Sequence, residues 1–280
     1  MLSREDNLTF PVNLTKRQMI RLKSWMRLAM LTVLAVGILV VLILVGKRIS
    51  ITNKMERARL ETEAAEMAAA EALAEAEAAE AAFRASLPDV DTDAWCLKLA
   101  NYENLLGSDF APQVVAIEEE QEFDVRAADH LRELIRDARA AGHPVYLCSG
   151  YRSYELQRAL YQRHIDEYIL EHGMTEAEAH ETTQKSVNYP GASEHQLGLA
   201  VDLLEYYGQP MLPEIGGTGL MLWLEQHCAD YGFIIRYPAD KTHITGISYE
   251  PWHLRYVGAA AASYIMEKGI CLEEFLALYE

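Results

Sequence analysis

His195 and Asp202 lie in one short segment, and their side chains are of types that bind zinc well. Along a plain strand they would point to opposite faces, because their separation is odd. Gly198 lies between them and allows a turn or bulge that lets both face one metal ion. Val201 and Leu203 flank Asp202, which predicts a core-facing strand. A lone carboxylate there is costly, and a cation would offset that cost.

A second segment offers another histidine and another carboxylate. His253 is a candidate third ligand, and Glu250 comes directly before Pro251, which favours an extended backbone at Glu250. The Glu250 carboxylate would then lie close to a histidine ligand without necessarily being a ligand itself. Three protein ligands plus a water are typical of a catalytic zinc site, and a nearby glutamate is its usual general base.

Most of the other histidines are not expected to bind metal. Four lie on predicted helices among charged neighbours and are expected to be solvated: His130, His164, His172 and His180. His243 precedes His253 by ten residues, and we expect it at the surface or beside the site rather than on the metal.

Four motifs, in the same order along the chain, together resemble the VanY-type D-alanyl-D-alanine carboxypeptidases, which are zinc peptidases of the LAS family. The resemblance covers about two thirds of the chain, from roughly Trp95 to the C-terminus. It depends on these stretches: Ser149-Gly-Tyr-Arg152-Ser-Tyr-x-x-Gln157, Ser193-x-His195-x-x-Gly198-x-Ala200-x-Asp202, Tyr231-Gly-Phe-x-x-Arg236-Tyr-Pro, and Glu250-x-Trp252-His253.

The resemblance implies a role for each site residue. His195, Asp202 and His253 would bind Zn²⁺, and Glu250 would be the catalytic base. Three further side chains would face the substrate: Arg152, Gln157 and Ser193. The Arg152 guanidinium would pair either with the developing oxyanion or with the free carboxylate of the terminal residue, and the residues leave both open.

The implied activity is removal of the terminal D-Ala from peptidoglycan stem peptides by attack of a zinc-activated water. An L,D-carboxypeptidase acting on tetrapeptide stems is an alternative within the same family, and so is an endopeptidase that cuts within the stem. A different class is a non-catalytic zinc-containing module that binds the cell wall. The carboxylate of Glu250 argues against that class, because a binding module needs no base beside its zinc.

The elements that must position these residues alternate between short strands and helices. Together they predict an α+β fold, and the resemblance implies a small antiparallel sheet flanked by helices, of the hedgehog/D-Ala-D-Ala-peptidase type. Strands are predicted at Trp95–Leu99, Pro144–Cys148, Leu199–Leu204 and Trp252–Val257. Helices are predicted at Val125–Ala141, Tyr154–Glu171 and Leu220–Tyr231.

The N-terminal part predicts a membrane anchor. Residues 28–46 carry no charge and are nearly all apolar, and as a helix they approach the thickness of a bilayer core. No small-residue cleavage site follows, so an uncleaved anchor is favoured over a signal peptide. Residues 1–27 would then be a cytoplasmic tail, and the large acidic domain would lie outside the cell in a single-pass membrane protein.

Residues 47–88 predict a helical spacer before the zinc carboxypeptidase domain of residues 89–280. Ala and Glu dominate this segment and favour helix, while Gly and Pro are absent from 47–87. A solvated single helix is the first interpretation. A parallel coiled coil that forms a homodimer is the alternative, although the larger apolar residues are too few for a clear heptad pattern.

The charge and the cysteines narrow the class of protein further. The formal net charge is −17, and an acidic domain argues against nucleic-acid binding, which needs a basic face. Outside the cell, disulfides could form between the four cysteines, but the sequence neither requires a disulfide nor identifies a pairing. The cysteines are Cys96, Cys148, Cys228 and Cys271.

Overall fold

The structure is a computed structural model that describes residues 15–118 and 120–280. Most of the predicted cytoplasmic tail, residues 1–14, therefore lies outside the described residues. The chain divides into two compact units, of which the first ends at Ser86 and the second is Leu87–Glu280.

Within its described residues, 15–86, the first unit is a single helix, α1 (Lys16–Ser86), of 71 residues. The apolar segment 28–46 and the Ala/Glu-rich segment are parts of this one helix; neither contains a proline, and Ala and Glu, which dominate the second segment, are good helix formers. α1 is long and apolar enough near the N-terminus to cross a membrane, judged by length and composition only. It ends just before Leu87, whose backbone is restricted by Pro88.

The described residues of the second unit form two antiparallel sheets. A hairpin is formed by β1 (Val114–Glu118) and β2 (Gln121–Asp124). The larger sheet has four strands in the spatial order β3-β4-β6-β5: β3 (Tyr146–Ser149), β4 (Ala200–Leu204), β5 (Phe233–Tyr237) and β6 (Glu250–Tyr256). Every pairing in it is antiparallel. The predicted small antiparallel sheet is confirmed.

Helices surround this sheet. Their bounds are α2 (Ala128–Ala140), α3 (Tyr154–His172), α4 (Glu176–Thr183), α5 (Gly219–His227), α6 (Thr242–Thr245), α7 (Ala259–Lys268) and α8 (Leu272–Ala277). The predicted apolar face of α2 is buried and belongs to the main hydrophobic core, as shown by Leu131, Leu134 and Ile135. The helix predicted to continue to Tyr231 ends as α-helix at His227, and a 3₁₀ turn, Cys228–Tyr231, follows it.

The strand predicted at Trp95–Leu99 is wrong. Trp95–Leu97 forms a 3₁₀ turn instead, with Leu97 buried. The carbonyls of Cys96 and Lys98 accept hydrogen bonds from the guanidinium of Arg255, at 2.8 Å each. A side chain therefore satisfies backbone groups that a neighbouring strand would otherwise have satisfied. The four cysteines are free thiols.

Candidate active site

Strand register places Asp202 beside His253. β4 and β6 are antiparallel neighbours, and these two residues are direct partners across them. Side chains of directly opposite residues lie on the same face of a sheet, close enough to interact. Two residues that are 51 positions apart in the chain are thereby brought to one point by backbone pairing.

A turn at Gly198 brings His195 to the same face. The 3₁₀ turn Glu194–Leu197 ends at Gly198, whose φ of 70° lies in the left-handed region that favours glycine. A Cβ at Gly198 would also lie 3.1 Å from the ring of Pro112 and 3.4 Å from the backbone nitrogen of Asp124. The turn predicted between His195 and Asp202 is confirmed, and the structure requires glycine there for both conformation and space.

The three predicted ligands meet in one buried cluster. Nε2 of His195 lies 3.3 Å from Oδ2 of Asp202, and Nδ1 of His253 lies 3.0 Å from Oδ1 of the same carboxylate. One ligand atom from each of the three residues lies within 4.8 Å of the others. Two ligands about 2.1 Å from a tetrahedral zinc would be about 3.4 Å apart. The geometry and the donor types fit Zn²⁺.

His195 is held in the form that a metal ligand needs. Its Nδ1 donates to the carbonyl oxygen of Gly150 at 2.7 Å, so its Nε2 carries the free lone pair and faces Asp202. Burial and the nearby Arg152 lower the pKa of His195 to about 4, which keeps the imidazole neutral. Gly150 itself has no room for a side chain, because a Cβ there would collide with the carbonyl oxygen of Glu122.

The two other predicted ligands attract positive charge. Burial alone would raise the pKa of Asp202, but the imidazoles of His195 and His253 lower it well below its usual range. Burial opposes charge on His253 as well, yet the carboxylates of Asp202 and Glu194 raise the pKa of His253 to about 9. The site therefore favours a positive charge on or beside His253, which a proton or a metal cation can supply.

Glu250 lies next to the cluster but does not belong to it. Its Oε2 is 3.8 Å from Nδ1 of His253. Burial and the charge of Asp202 raise the pKa of Glu250 to about 8, although His253 and Arg152 act in the opposite direction. A carboxylate that takes up a proton near neutral pH has the property required of a general base.

Arg152 is positioned by the same turn that carries His195. Its backbone N–H donates to the carbonyl oxygen of His195 at 3.1 Å, and its Nη2 lies 4.0 Å from Oδ2 of Asp202. Its Nε is buried and makes no hydrogen bond to any described residue. Burial lowers the pKa of Arg152, while Asp202 and Glu250 raise it, and a guanidinium stays charged at any working pH.

The cluster opens into a cleft of about 900 Å³. Gln157 and Ser193, both predicted to face the substrate, line this cleft and are largely buried. Trp252 lines the cleft and also packs in the main core, so it is both pocket wall and core. His164, predicted to be solvated, is instead half-buried and lines the cleft, whereas His243 is exposed. Neither belongs to the metal-binding cluster of the described residues.

The sequence patterns do not reveal a buried ion network that lies next to the metal-binding cluster. Oε1 of Glu194 accepts hydrogen bonds from Arg236 and Arg255, at 2.7 Å each, and all three side chains are fully buried. Tyr237 lies against the ring of His253, with centroids 4.9 Å apart. Arg236 and Arg255 each stand within apolar strand sequences, and such arginines signal a buried acid. Their partner could not be identified from that signal alone.

Sequence comparison finds similarity to D-alanyl-D-alanine carboxypeptidases. The family model described as "VanY: D-alanyl-D-alanine carboxypeptidase" matches residues 120–259, half of the chain. A "D-alanyl-D-alanine carboxypeptidase" of Enterococcus faecalis is 39% identical over 188 residues, which are 66% of this chain and 67% of that protein. For three other relatives the chain spans between 42% and 65% of their length.

Solved structures agree with the sequence comparison. A mutant of the vancomycin-resistance D,D-pentapeptidase VanY, in complex with Zn(II), matches with a TM-score of 0.59 and 39% identity over 65% of this chain and 99% of its own. The LD-carboxypeptidase LdcB matches with a TM-score of 0.55 and 33% identity, over 64% of this chain and 84% of its own.

Proposed function

Because the chain belongs to the VanY family of D-alanyl-D-alanine carboxypeptidases, which are zinc metallocarboxypeptidases, we propose that it removes the terminal D-Ala from peptidoglycan stem pentapeptides. One observation carries the proposal: three ligand atoms converge in a cleft beside a carboxylate that is not one of them. In this proposal His195, Asp202 and His253 hold Zn²⁺, and Glu250 is the general base.

In the proposed reaction Glu250 transfers the proton. Zinc, when bound, polarises the scissile carbonyl and lowers the pKa of the attacking water. Glu250 accepts the proton from that water and later donates it to the nitrogen of the leaving amino acid. Burial raises the pKa of Glu250, so its carboxylate accepts a proton more readily than an exposed carboxylate would.

Arg152 supplies the positive partner that a carboxypeptidase substrate needs. Its unpartnered Nε and its place in the cleft support a hydrogen bond to a substrate oxygen. Either the terminal carboxylate or the developing oxyanion would serve as the acceptor. Gln157 Oε1 is also buried without a partner in the described chain, which supports a contact between this amide and the substrate.

The substrate length is the point on which the two candidate functions differ. A D,D-carboxypeptidase shortens a pentapeptide stem, and an L,D-carboxypeptidase shortens a tetrapeptide stem. The higher identity to the D,D-pentapeptidase, 39% against 33% for LdcB, favours the first. The similarity to LdcB keeps the second as an alternative.

We expect the purified protein to release D-Ala from a pentapeptide stem and to leave a tetrapeptide stem largely intact. Mass spectrometry of both peptides after incubation would measure this directly. A chelator should abolish the release, and added Zn²⁺ should restore it. Cleavage of the tetrapeptide alone would replace the proposal with the L,D activity, and no cleavage of either peptide in zinc would contradict both.

We further propose that residues 28–46 anchor the chain in the cell membrane as a single span, with residues 1–27 cytoplasmic and 89–280 extracytoplasmic. The uncharged, apolar sequence of 28–46 within α1 supports this. The remaining part of α1, within residues 47–88, would be a spacer that extends the reach of the catalytic domain. At 1.5 Å per residue, residues 47–86 would span about 60 Å as a helix.

Deletion of residues 54–86 is expected to leave hydrolysis of soluble pentapeptide unchanged and to lower hydrolysis of intact cell wall. The reason is that the deletion shortens the reach without touching the catalytic unit, Leu87–Glu280. Amino-acid release from both substrates measures the effect. A helical Ala/Glu sequence of the original length should restore activity on the wall, and an equal loss on both substrates would refute the spacer role.

A further inference from the structure

Glu194 stands between the predicted substrate residue Ser193 and the predicted ligand His195, but its side chain does not face the cleft. It is fully buried, within the 3₁₀ turn Glu194–Leu197. Its two carboxylate oxygens have different surroundings. Oε1 accepts both arginine hydrogen bonds, from Arg236 Nε and Arg255 Nη1, whereas Oε2 accepts none from the described residues.

The unpartnered oxygen faces an unpartnered nitrogen of a metal-binding residue. Oε2 of Glu194 lies 3.8 Å from Nε2 of His253, and both atoms are buried without a hydrogen bond to any described residue. Buried polar atoms are rarely left unsatisfied. A shift of under about 1 Å would bring this donor and this acceptor to hydrogen-bond distance.

We propose that Glu194 is the positioning residue of the zinc site, accepting a hydrogen bond from Nε2–H of His253 so that Nδ1 is aimed at the metal. The inference rests on the proposed ligand set. Nδ1 of His253 lies on the side of the other two proposed ligands, 3.0 Å from Oδ1 of Asp202, and in the proposed ligand set its lone pair goes to the metal, so the proton of the neutral ring belongs on Nε2. A histidine ligand whose other ring nitrogen donates to a carboxylate has its tautomer and ring orientation fixed.

The two arginines hold the carboxylate in the orientation that this role requires. Arg255 is itself fixed by the carbonyls of Cys96, Lys98 and Tyr256. Arg236 also pairs with Glu273 at the start of α8. Because both guanidinium groups bind Oε1, Oε2 is left to His253. A carboxylate that served only to neutralise two arginines would be expected to use both of its oxygens for that purpose.

Measuring zinc affinity distinguishes this positioning role of Glu194 from a purely structural role. Glu194→Gln keeps the shape of the side chain and removes its charge, so it should weaken zinc binding by about 10–100-fold. The d–d absorption spectrum of the Co²⁺-substituted protein should also shift. The matched control, Glu273→Gln, changes another partner of Arg236, one that is partly buried and has no contact with His253. It should lose stability while its zinc affinity stays within about two-fold of wild type, because no metal ligand is disturbed.

The experiment uses the full chain in detergent, a competing chromophoric chelator for zinc affinity, and denaturant unfolding for stability. If Glu194→Gln does not fold, Glu194→Asp keeps a charge for the arginines but shortens the reach toward His253, and it should show the same loss of zinc affinity. Unchanged zinc affinity in the variant that folds, or an equal loss in the Glu273 control, would overturn the inference.

A failure of the inference about Glu194 and a failure of the proposed function would give different results. A wild-type chain that binds zinc but releases no D-Ala would contradict the proposed function, and the comparison of zinc affinities would still decide the role of Glu194. A wild-type chain that binds no zinc would overturn both.

Discussion

Glu250→Gln is expected to lower kcat for D-Ala release by about 10²–10⁴-fold, the range that a general acid–base group contributes. The amide cannot accept the proton of the attacking water, and it has none to give to the leaving amine nitrogen. Zinc affinity should change little, because Glu250 lies outside the group of converging ligand atoms. Steady-state kinetics on a pentapeptide, with zinc content determined on the same sample, would measure both effects.

The matched control for that variant is Glu120→Gln. Glu120 lines the same cleft but is exposed, so replacing it should change kcat by less than about threefold, as expected for a group that transfers no proton. A Glu250→Gln variant that keeps more than a tenth of wild-type activity with zinc bound would show that another group takes the proton. Equal losses in the two variants would point to a general effect of charge in the cleft.

Arg255→Met is expected to lower the free energy of unfolding by about 3–5 kcal/mol, the cost of removing one partner from a buried ion pair. The substitution takes a hydrogen bond from Glu194 and leaves the carbonyls of Cys96 and Lys98 without their donor. The turn Trp95–Leu97 would lose the side chain that holds it to β6. Denaturant unfolding followed by circular dichroism and by tryptophan fluorescence would measure the loss.

Arg136→Met provides the comparison for this stability change. Arg136 is exposed and pairs with the neighbouring Asp137, so solvent screens the pair and its loss should change the free energy of unfolding far less than the loss of Arg255. Similar losses for the two arginines would contradict the importance of burial. A loss below about 1 kcal/mol for Arg255→Met would mean that the network around Glu194 contributes no more than a surface pair.

The metal cluster could be predicted from the sequence because its signal is local and chemical. His195 and Asp202 are of ligand types, and Gly198 between them indicated the turn that the structure contains. The burial of Asp202 also followed from its apolar neighbours, which occupy a strand as predicted. The motif around His253 predicts it as the third ligand, and the pairing of β4 with β6 places it directly opposite Asp202.

The remaining features depend on contacts between distant segments, which local patterns do not report. The apolar run at Trp95 resembles a strand, but Arg255, far away in the chain, supplies its hydrogen bonds. The hairpin of β1 and β2 lies in a stretch with no clear alternation of apolar and polar residues. The sequence also does not indicate which arginines pair with Glu194, because the chain contains many of them. Only the fold brings Arg236 and Arg255 to its carboxylate.

A crystal structure of the zinc-loaded protein, with anomalous scattering measured on both sides of the zinc edge, tests the metal site most directly. One strong peak is expected about 2.0–2.2 Å from Nε2 of His195, a carboxylate oxygen of Asp202 and Nδ1 of His253, with Glu250 outside bonding distance. A peak bound by other residues, or a fully folded protein with no peak at this cluster, would contradict it.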